Sequence, residues 1–500
     1  MFKHPPKNCQ MKFYFLLLLG LELACVEGKA QTGSGSVSGS VEVQGILASP
    51  HNTPFWFRSN QFGSVPLPGS SGAAIGAVHI NYDSPRTSLI DWGGSLEIRG
   101  DLGATARATI IEGYAKLRVG IFELKAGRVK DFMGMVDTTL SSGAFAVSGN
   151  ALGIPKLQLA IPDYYQLHWF GDLFAFKGSA AAGLVGDIPI QYAHNAKSAH
   201  TYFQQSSLYV RLGRPQWALK LYGGVNHQVF WGNERAVFGP GFTLPGWKSF
   251  LYAGIGKTWQ NSKIGNHIGS IDMGLDYDFD DVRLTLYRQN FYDEGALYHL
   301  ANIKDGLNGI SITNKEDYGE FFHWTKFLFE YFCSKNQAGY PTSTYTNSGD
   351  ENYYNNYEYK QGWSYKGLGL GNPFISTYTS TRTDLPNDTA DFFNNNRVVA
   401  FHFGAQGAVS NWYFTAKLSY SMNYGTFGTS PYGHTTGRLR QVPRFGYWQE
   451  VSQFSSYLEV KKALANGYSI GCAAALDNGK LLNNSGGIIL KLSKTFFQTP

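Results

Sequence analysis

Residues 411–422 read Asn-Trp-Tyr-Phe-Thr-Ala-Lys-Leu-Ser-Tyr-Ser-Met. From Trp412 every second residue (Phe414, Ala416, Leu418, Tyr420, Met422) is apolar or aromatic, with Tyr413, Thr415, Lys417, Ser419 and Ser421 between them. Successive side chains of a strand point to opposite faces, so this segment has one apolar face and one wet face. A sheet over a soluble core alternates in the same way, but its strands average only about five or six residues. The length of the run, and the aromatics at both ends of its apolar face, point instead to a strand of a transmembrane barrel.

The pattern recurs along the chain. Ile271, Met273, Leu275, Tyr277 and Phe279 alternate with Asp272, Gly274, Asp276, Asp278 and Asp280, and Val282, Leu284 and Leu286 with Arg283, Thr285 and Tyr287. Shorter copies are Ala115–Val119, Leu208–Leu212, Trp217–Leu221, Leu458–Val460 and Ile488–Leu492. Lys116, Arg118, Asp272, Arg283 and Lys417 then share one side of a closed sheet, which in a membrane barrel is the hydrated lumen. Counting such segments predicts roughly 16 to 20 strands, the first at Val37–Leu47 and the last at Gly486–Phe497. Tight polar turns such as Asp278–Asp281 and Ala465–Gly467 belong on the periplasmic side, with longer loops outside.

Composition agrees. The 500 residues include 59 Gly, 15% aromatic and only 16% charged residues, and no segment after the N-terminus has the long apolar run of a membrane helix. A barrel satisfies its backbone groups between strands, so the mean hydropathy can stay negative, at −0.23. At the N-terminus, Lys3, Lys7 and Lys12 precede the apolar run Phe13–Leu21, and Gly28-Lys29-Ala30 supplies small residues before Gln31. Residues 1–30 are therefore expected to be an export signal, cleaved after Ala30, with Met11 an alternative start, and residues 31–500 a single barrel domain. Cys25 raises lipidation as an alternative, but Glu22 stands where a lipobox wants an aliphatic residue. With Cys9 and Cys25 in the signal, Cys333 and Cys472 are the only mature thiols and read as lone strand residues. The formal charge of +6 falls to +4 without residues 1–30, which hold four Lys and two Glu. A charge that small and dispersed predicts no nucleic-acid partner.

Three segments are too long or irregular for turns: Phe132–Pro162, Gln337–Pro373 and Tyr424–Trp448. Loops of such length are functional or disordered, and their aromatic content argues against disorder. The chain has no Gly-x-Ser-x-Gly elbow, His-Glu-x-x-His, P-loop or Cys-x-x-Cys. His227, His299, His323, His402 and His434 lack metal-ligand spacing and read as hydrogen-bonded lumen or loop histidines. No catalytic residue, metal site or cofactor is expected. The stronger signal is Asn352-Tyr-Tyr-Asn-Asn-Tyr357 leading into Gln361-Gly-Trp-Ser-Tyr365. Sugar rings stack their C–H faces on Tyr and Trp while amides pair with hydroxyls. Tyr353, Tyr354, Tyr357, Trp363, Tyr365, Tyr447 and Trp448 are thus candidate polysaccharide contacts. Arg438, Arg440 and Arg444 are candidates for acidic groups, which guanidinium binds bidentately. The same rings could instead form the interfacial girdle or pack the loops, and the same arginines a solvated basic loop.

Ser141-Ser-Gly-Ala-Phe-Ala-Val-Ser-Gly-Asn-Ala-Leu-Gly-Ile-Pro-Lys156 resembles the signature of the Wzi-type capsule assembly family of outer-membrane proteins. Asn226–Gly232, Tyr287–Asn290, Asp305–Leu307, Glu330–Gly339 and Gly362–Pro373 continue the resemblance in the family's order, in a form similar to its Bacteroidetes-type branch. The resemblance implies an eighteen-stranded, all-β antiparallel barrel in the cell outer membrane, its lumen plugged by loops, with Phe132–Pro162 as part of the plug. It implies binding and organisation of capsular or other surface polysaccharide, with no reaction and no cofactor. Two departures stand out: Gly33–Ser40 leads straight into a strand, with no room for the family's periplasmic helical element, and Phe497 takes the place of a terminal aromatic. The alternative is an open channel for oligosaccharides or other solutes, and a lipid- or glycan-modifying enzyme ranks below both. A closed barrel hides its own sheet edges, so a monomer surrounded by outer-membrane lipid is expected.

Overall fold

The computed structural model of the protein describes residues 36–49, 52–82, 88–103, 106–191, 196–260, 262–316, 321–339, 343–346, 349–436 and 439–496. The expected signal peptide, its cleavage site, Phe497 and the Arg438 candidate lie outside them. Eighteen strands form one sheet. The first nine are β1 Val37–Ala48, β2 Ser71–Ile80, β3 Ile90–Gly103, β4 Arg107–Val119, β5 Phe122–Arg128, β6 Lys156–Leu167, β7 Phe174–Pro189, β8 Ser198–Leu212 and β9 Leu219–Trp231. The rest are β10 Asn266–Asp278, β11 Val282–Tyr292, β12 Gly306–Asn314, β13 Phe322–Cys333, β14 Val398–Val409, β15 Trp412–Asn423, β16 Val451–Ala463, β17 Tyr468–Gly479 and β18 Ser485–Phe496. Each pairs antiparallel with its neighbours in sequence, and β1 pairs β18 from Gly39 opposite Phe496 to Ala48 opposite Gly487. The sheet has no free edge, the condition for a β structure to cross lipid.

The two faces divide as the alternation predicts. In β15, Trp412, Leu418 and Tyr420 are exposed on the outside while Ser419, Ser421 and Asn423 are buried inside. Ile271 and Met273 of β10 face out and Asp272 faces in. Charges on the inner face pair with one another: Arg99 with Asp101 at 2.7 Å, Arg118 with Asp91 at 3.2 Å, Lys491 with Glu459 at 2.6 Å. Cys333 and Cys472 are both free thiols.

Connections are unequal at the two ends. Turns 120–121, 279–281, 410–411 and 464–467 lie at the end where β1 begins and β18 stops, while segments 49–70, 129–155, 232–265, 334–397 and 424–450 leave the other end. Short turns mark the periplasmic end, so the long segments face the exterior. Trp92, Phe122, Trp169, Trp217, Phe279, Phe322, Trp412 and Tyr468 stand exposed around the short-turn rim as an aromatic girdle.

Boundaries differ from the sequence reading at two irregular segments: the one expected over Gln337–Pro373 runs on to residue 397, just before β14, and the one expected over Phe132–Pro162 is shorter. The latter ends at Pro155, not Pro162, because β6 already begins at Lys156 and carries Pro162 inside it. The β6–β7 register shifts between Ile161 and Tyr165, and pairing of β6 with β5 stops at Ala160. Proline, with no N–H to give, is accommodated at such an irregularity.

Leu418→Arg, which turns a charge towards lipid near the middle of β15, is expected to cost about 2–4 kcal/mol. Equilibrium unfolding in lipid vesicles would read the loss, and no change would contradict the assignment of faces.

Candidate functional site

The lumen is filled by the two segments 129–155 and 334–397, which meet inside it. Ser148 donates from its N–H to Leu370 O at 2.9 Å and from its hydroxyl to Gly371 O at 2.6 Å. Trp363 Nε1 donates to Ala146 O at 2.7 Å, and its ring stacks on Phe230 of β9 with centroids 4.4 Å apart. Phe145 stacks on Phe291 of β11 at 4.0 Å, nearly parallel, and accepts the Tyr354 hydroxyl at its carbonyl. Gly371 has no alternative here: a Cβ would lie 2.0 Å from the Tyr354 hydroxyl oxygen. The stretches 141–156 and 362–373, which carry the sequence resemblance, are thus pressed against one another.

Inward-facing wall residues hold this plug. Glu330 of β13 accepts from Ser141 Oγ (2.5 Å), Ser142 N (2.7 Å) and Tyr287 Oη (2.6 Å). His402 of β14 lies between Ser419 Oγ (2.8 Å) and Leu140 O (2.7 Å). Its Nε2 must donate to the carbonyl, so Nδ1 accepts from the serine. Gln289 accepts from Phe145 N at 3.1 Å, Asp272 from Met135 N at 2.9 Å, and Lys326 pairs with Asp137 at 2.7 Å. The polar groups of the plug need these partners because water is excluded around them. Higher up, Glu351 accepts from Ala296 N (2.8 Å), Gly295 N (3.1 Å) and Asn302 Nδ2 (3.2 Å), tying 293–305 to 334–397. Burial pushes its carboxyl up to about 7.

The candidate contacts separate into two groups. Tyr353, Tyr354, Trp363, Tyr365 and Trp448 are buried, the first three almost completely. Their rings and polar atoms are used internally: Tyr353 Oη donates to Asp305 Oδ2 at 3.0 Å and Trp448 Nε1 to Asn423 O at 3.2 Å. They pack the loops and offer no face to a ligand. Tyr357, Arg440, Arg444 and Tyr447 are exposed. Arg440 is braced by the carbonyls of Pro431 and Tyr432 beside the short pairing of His434–Thr436 with Leu439–Gln441.

Sequence reasoning missed a cleft of ≈270 Å³ on the long-loop side, bounded by segments 49–70, 129–155 and 334–397. Arg58, Arg107, Lys366, Asn150, Thr377 and Ser380 line it together with Phe55 and Leu67. Arg58 ends the one-turn helix Phe55–Arg58 (α1), whose first residue is held by Asp477 Oδ2 at 2.8 Å. Arg107 opens β4 and pairs with Asp101 at 3.3 Å, while Lys366 is exposed. Three cations, an amide and hydroxyls around apolar walls suit a sugar with an acidic group. These residues share no spacing in the sequence, so no motif announces them.

A filled lumen predicts no steady conductance for the wild-type barrel in planar bilayers. Trp363→Ala, expected to cost the plug about 3–5 kcal/mol, should produce intermittent openings, and deletion of residues 133–148 a steady one. Large steady wild-type currents would contradict the plug.

The family model for capsule assembly protein Wzi matches residues 51–385. No curated protein sequence matches the chain. Among solved structures, Escherichia coli Wzi, an outer-membrane protein involved in group 1 capsule assembly and a carbohydrate-binding β-barrel, is similar over 99% of this chain and 90% of its own, at 11% identity and TM-score 0.55. Acinetobacter baumannii OccAB2 is similar at 12% identity and TM-score 0.44, over 93% of this chain and 99% of its own. Pseudomonas aeruginosa OpdQ is similar at 10% identity and TM-score 0.42, over 92% and 98%. The first likeness shows the barrel fold, and the family match spans more than half of the chain: this outer-membrane barrel belongs to the Wzi capsule assembly family.

Proposed function

We propose that the protein retains a surface polysaccharide, of capsular type, at the outer face of the outer membrane, by binding and without catalysing a reaction. The observation that carries the reading is the cationic, hydroxyl-lined cleft of Arg58, Arg107 and Lys366 on the long-loop side of a filled barrel. E. coli Wzi, of the same family, is a carbohydrate-binding barrel, which supports a sugar ligand here. Exposed Tyr357, Arg440, Arg444 and Tyr447 extend the surface available to a polymer. The absence of a reaction is supported by the use of the buried carboxylates Glu330, Asp272 and Asp305, each of which accepts hydrogen bonds that hold the plug or its loops. The barrel acts as a monomer, since its closed sheet leaves no edge for a partner. An open channel is the less favoured function, because the plug occupies the path that solute would take.

The test compares cell-bound with released polymer in the capsulated parent. Arg107→Ala with Lys366→Ala removes two charge-assisted contacts of about 1.5–3 kcal/mol each, so at least a tenfold fall in affinity and a clear shift of polymer to the medium are expected. A second variant, Tyr357→Ala with Arg440→Ala, Arg444→Ala and Tyr447→Ala, probes the outer loops without entering the plug. Unchanged retention in both, at equal amounts of folded barrel, would overturn the reading.

A further inference from the structure

The loops carry a second constellation, separate from the cleft. Asp388 and Asp391 of segment 334–397 and His434 of segment 424–450 bring one ligand atom each within 4.8 Å of one another. His434 Nδ1 is hydrogen bonded to Asp350 Oδ2 at 2.7 Å, which leaves Nε2 as its free ring nitrogen. Asp388 Oδ1 accepts from Ala390 N at 2.9 Å, which leaves Oδ2. Both free atoms crowd the same point beside Gly428, where a Cβ would lie 2.6 Å from Asp388 Oδ2 and 3.0 Å from His434 Nε2.

The third member points to a missing ligand. Asp391 is 93% buried, since its relative exposure is 7%. Its Oδ1 accepts from Asn352 Nδ2 at 2.9 Å, but its buried Oδ2 has no partner within hydrogen-bond geometry, although the Thr426 hydroxyl lies near the carboxylate. A buried carboxylate oxygen left unpaired is costly, and a cation is one of the few ways to satisfy it.

We propose that Asp388, Asp391 and His434 form a divalent-cation site that joins the outer loops 334–397 and 424–450. Two carboxylates with one imidazole select a first-row transition cation over the hard alkaline-earth ions, which prefer oxygen alone. Donors at 2.0–2.2 Å from a zinc ion, about the usual distances, require the half-buried Asp388 to draw in slightly. Asp350 is the positioning residue, orienting the imidazole through its second nitrogen as carboxylates do behind metal-bound histidines.

The probe is Zn²⁺, titrated calorimetrically into the untagged, chelator-stripped barrel in detergent. One equivalent is expected to bind, with loss of that equivalent in both His434→Ala and the near-isosteric Asp391→Asn. Asp350→Asn should keep the stoichiometry and weaken affinity by about 10–100-fold. Retention of the compact, heat-modifiable form on gels checks that each variant is folded. Absence of binding, an unchanged equivalent in the two ligand variants, or displacement of Zn²⁺ by equimolar Ca²⁺ would each overturn the proposal. Polymer retention plays no part in these readouts, so the site stands or falls independently of the proposed function.

Discussion

Lipid offers no hydrogen-bond partner to a peptide group, and this constraint organises the molecule. Every strand N–H and C=O in the wall must pair with a neighbouring strand, and the first strand must meet the last. Closure through β1 and β18 meets that demand and sorts the side chains: apolar residues such as Leu418 face lipid, and charges such as Asp272 and Arg118 turn inward. An interior of that kind is polar, and it remains polar when filled. That is why the plug is held by carboxylates, amides and an imidazole as well as by aromatic stacking.

The plug in turn fixes the exterior. Glu330, Gln289 and His402 grip segment 129–155, and that segment grips 334–397 through Trp363 and Tyr354. The ≈270 Å³ cleft lies along this construction, with Arg107 on the wall, Arg58 on the short helix that Asp477 holds through Phe55, and Lys366 on the loop. A membrane protein that must hold a polymer gains rigidity from such a base, because a site on rigid supports loses less freedom on binding.

The barrel was legible in the sequence because lipid imposes a strict two-residue period that survives in nearly every strand. Pro162 was misread as the end of the plug because proline in a strand is tolerated only at a local irregularity, and neighbouring residues do not reveal one. The loop rings were harder. Tyr353 and Trp363 have the same local composition as sugar-binding aromatics, and only partners far away in sequence, Asp305 and Ala146, show that they are buried. Arg58, Arg107 and Lys366 were invisible for a related reason: the cleft draws them from three separate stretches. Tyr357, Arg440, Arg444 and Tyr447 share that composition but lie exposed on the loops.

The same long-range contacts bear on how the chain reaches this state. Ser141 meets Glu330 across 189 positions, Leu140 meets His402 across 262, and Phe55 meets Asp477 across 422. Contacts so distant repay the entropy of loop closure only after most of the chain is in place, which makes folding slow and leaves apolar strands uncovered meanwhile. The wall seam joins residues 39–48 to 487–496, so neither the seam nor the complete plug can form before nearly the whole polypeptide is available. Until that point the lipid-facing side chains and the two seam edges stay uncovered, a state in which aggregation competes with folding.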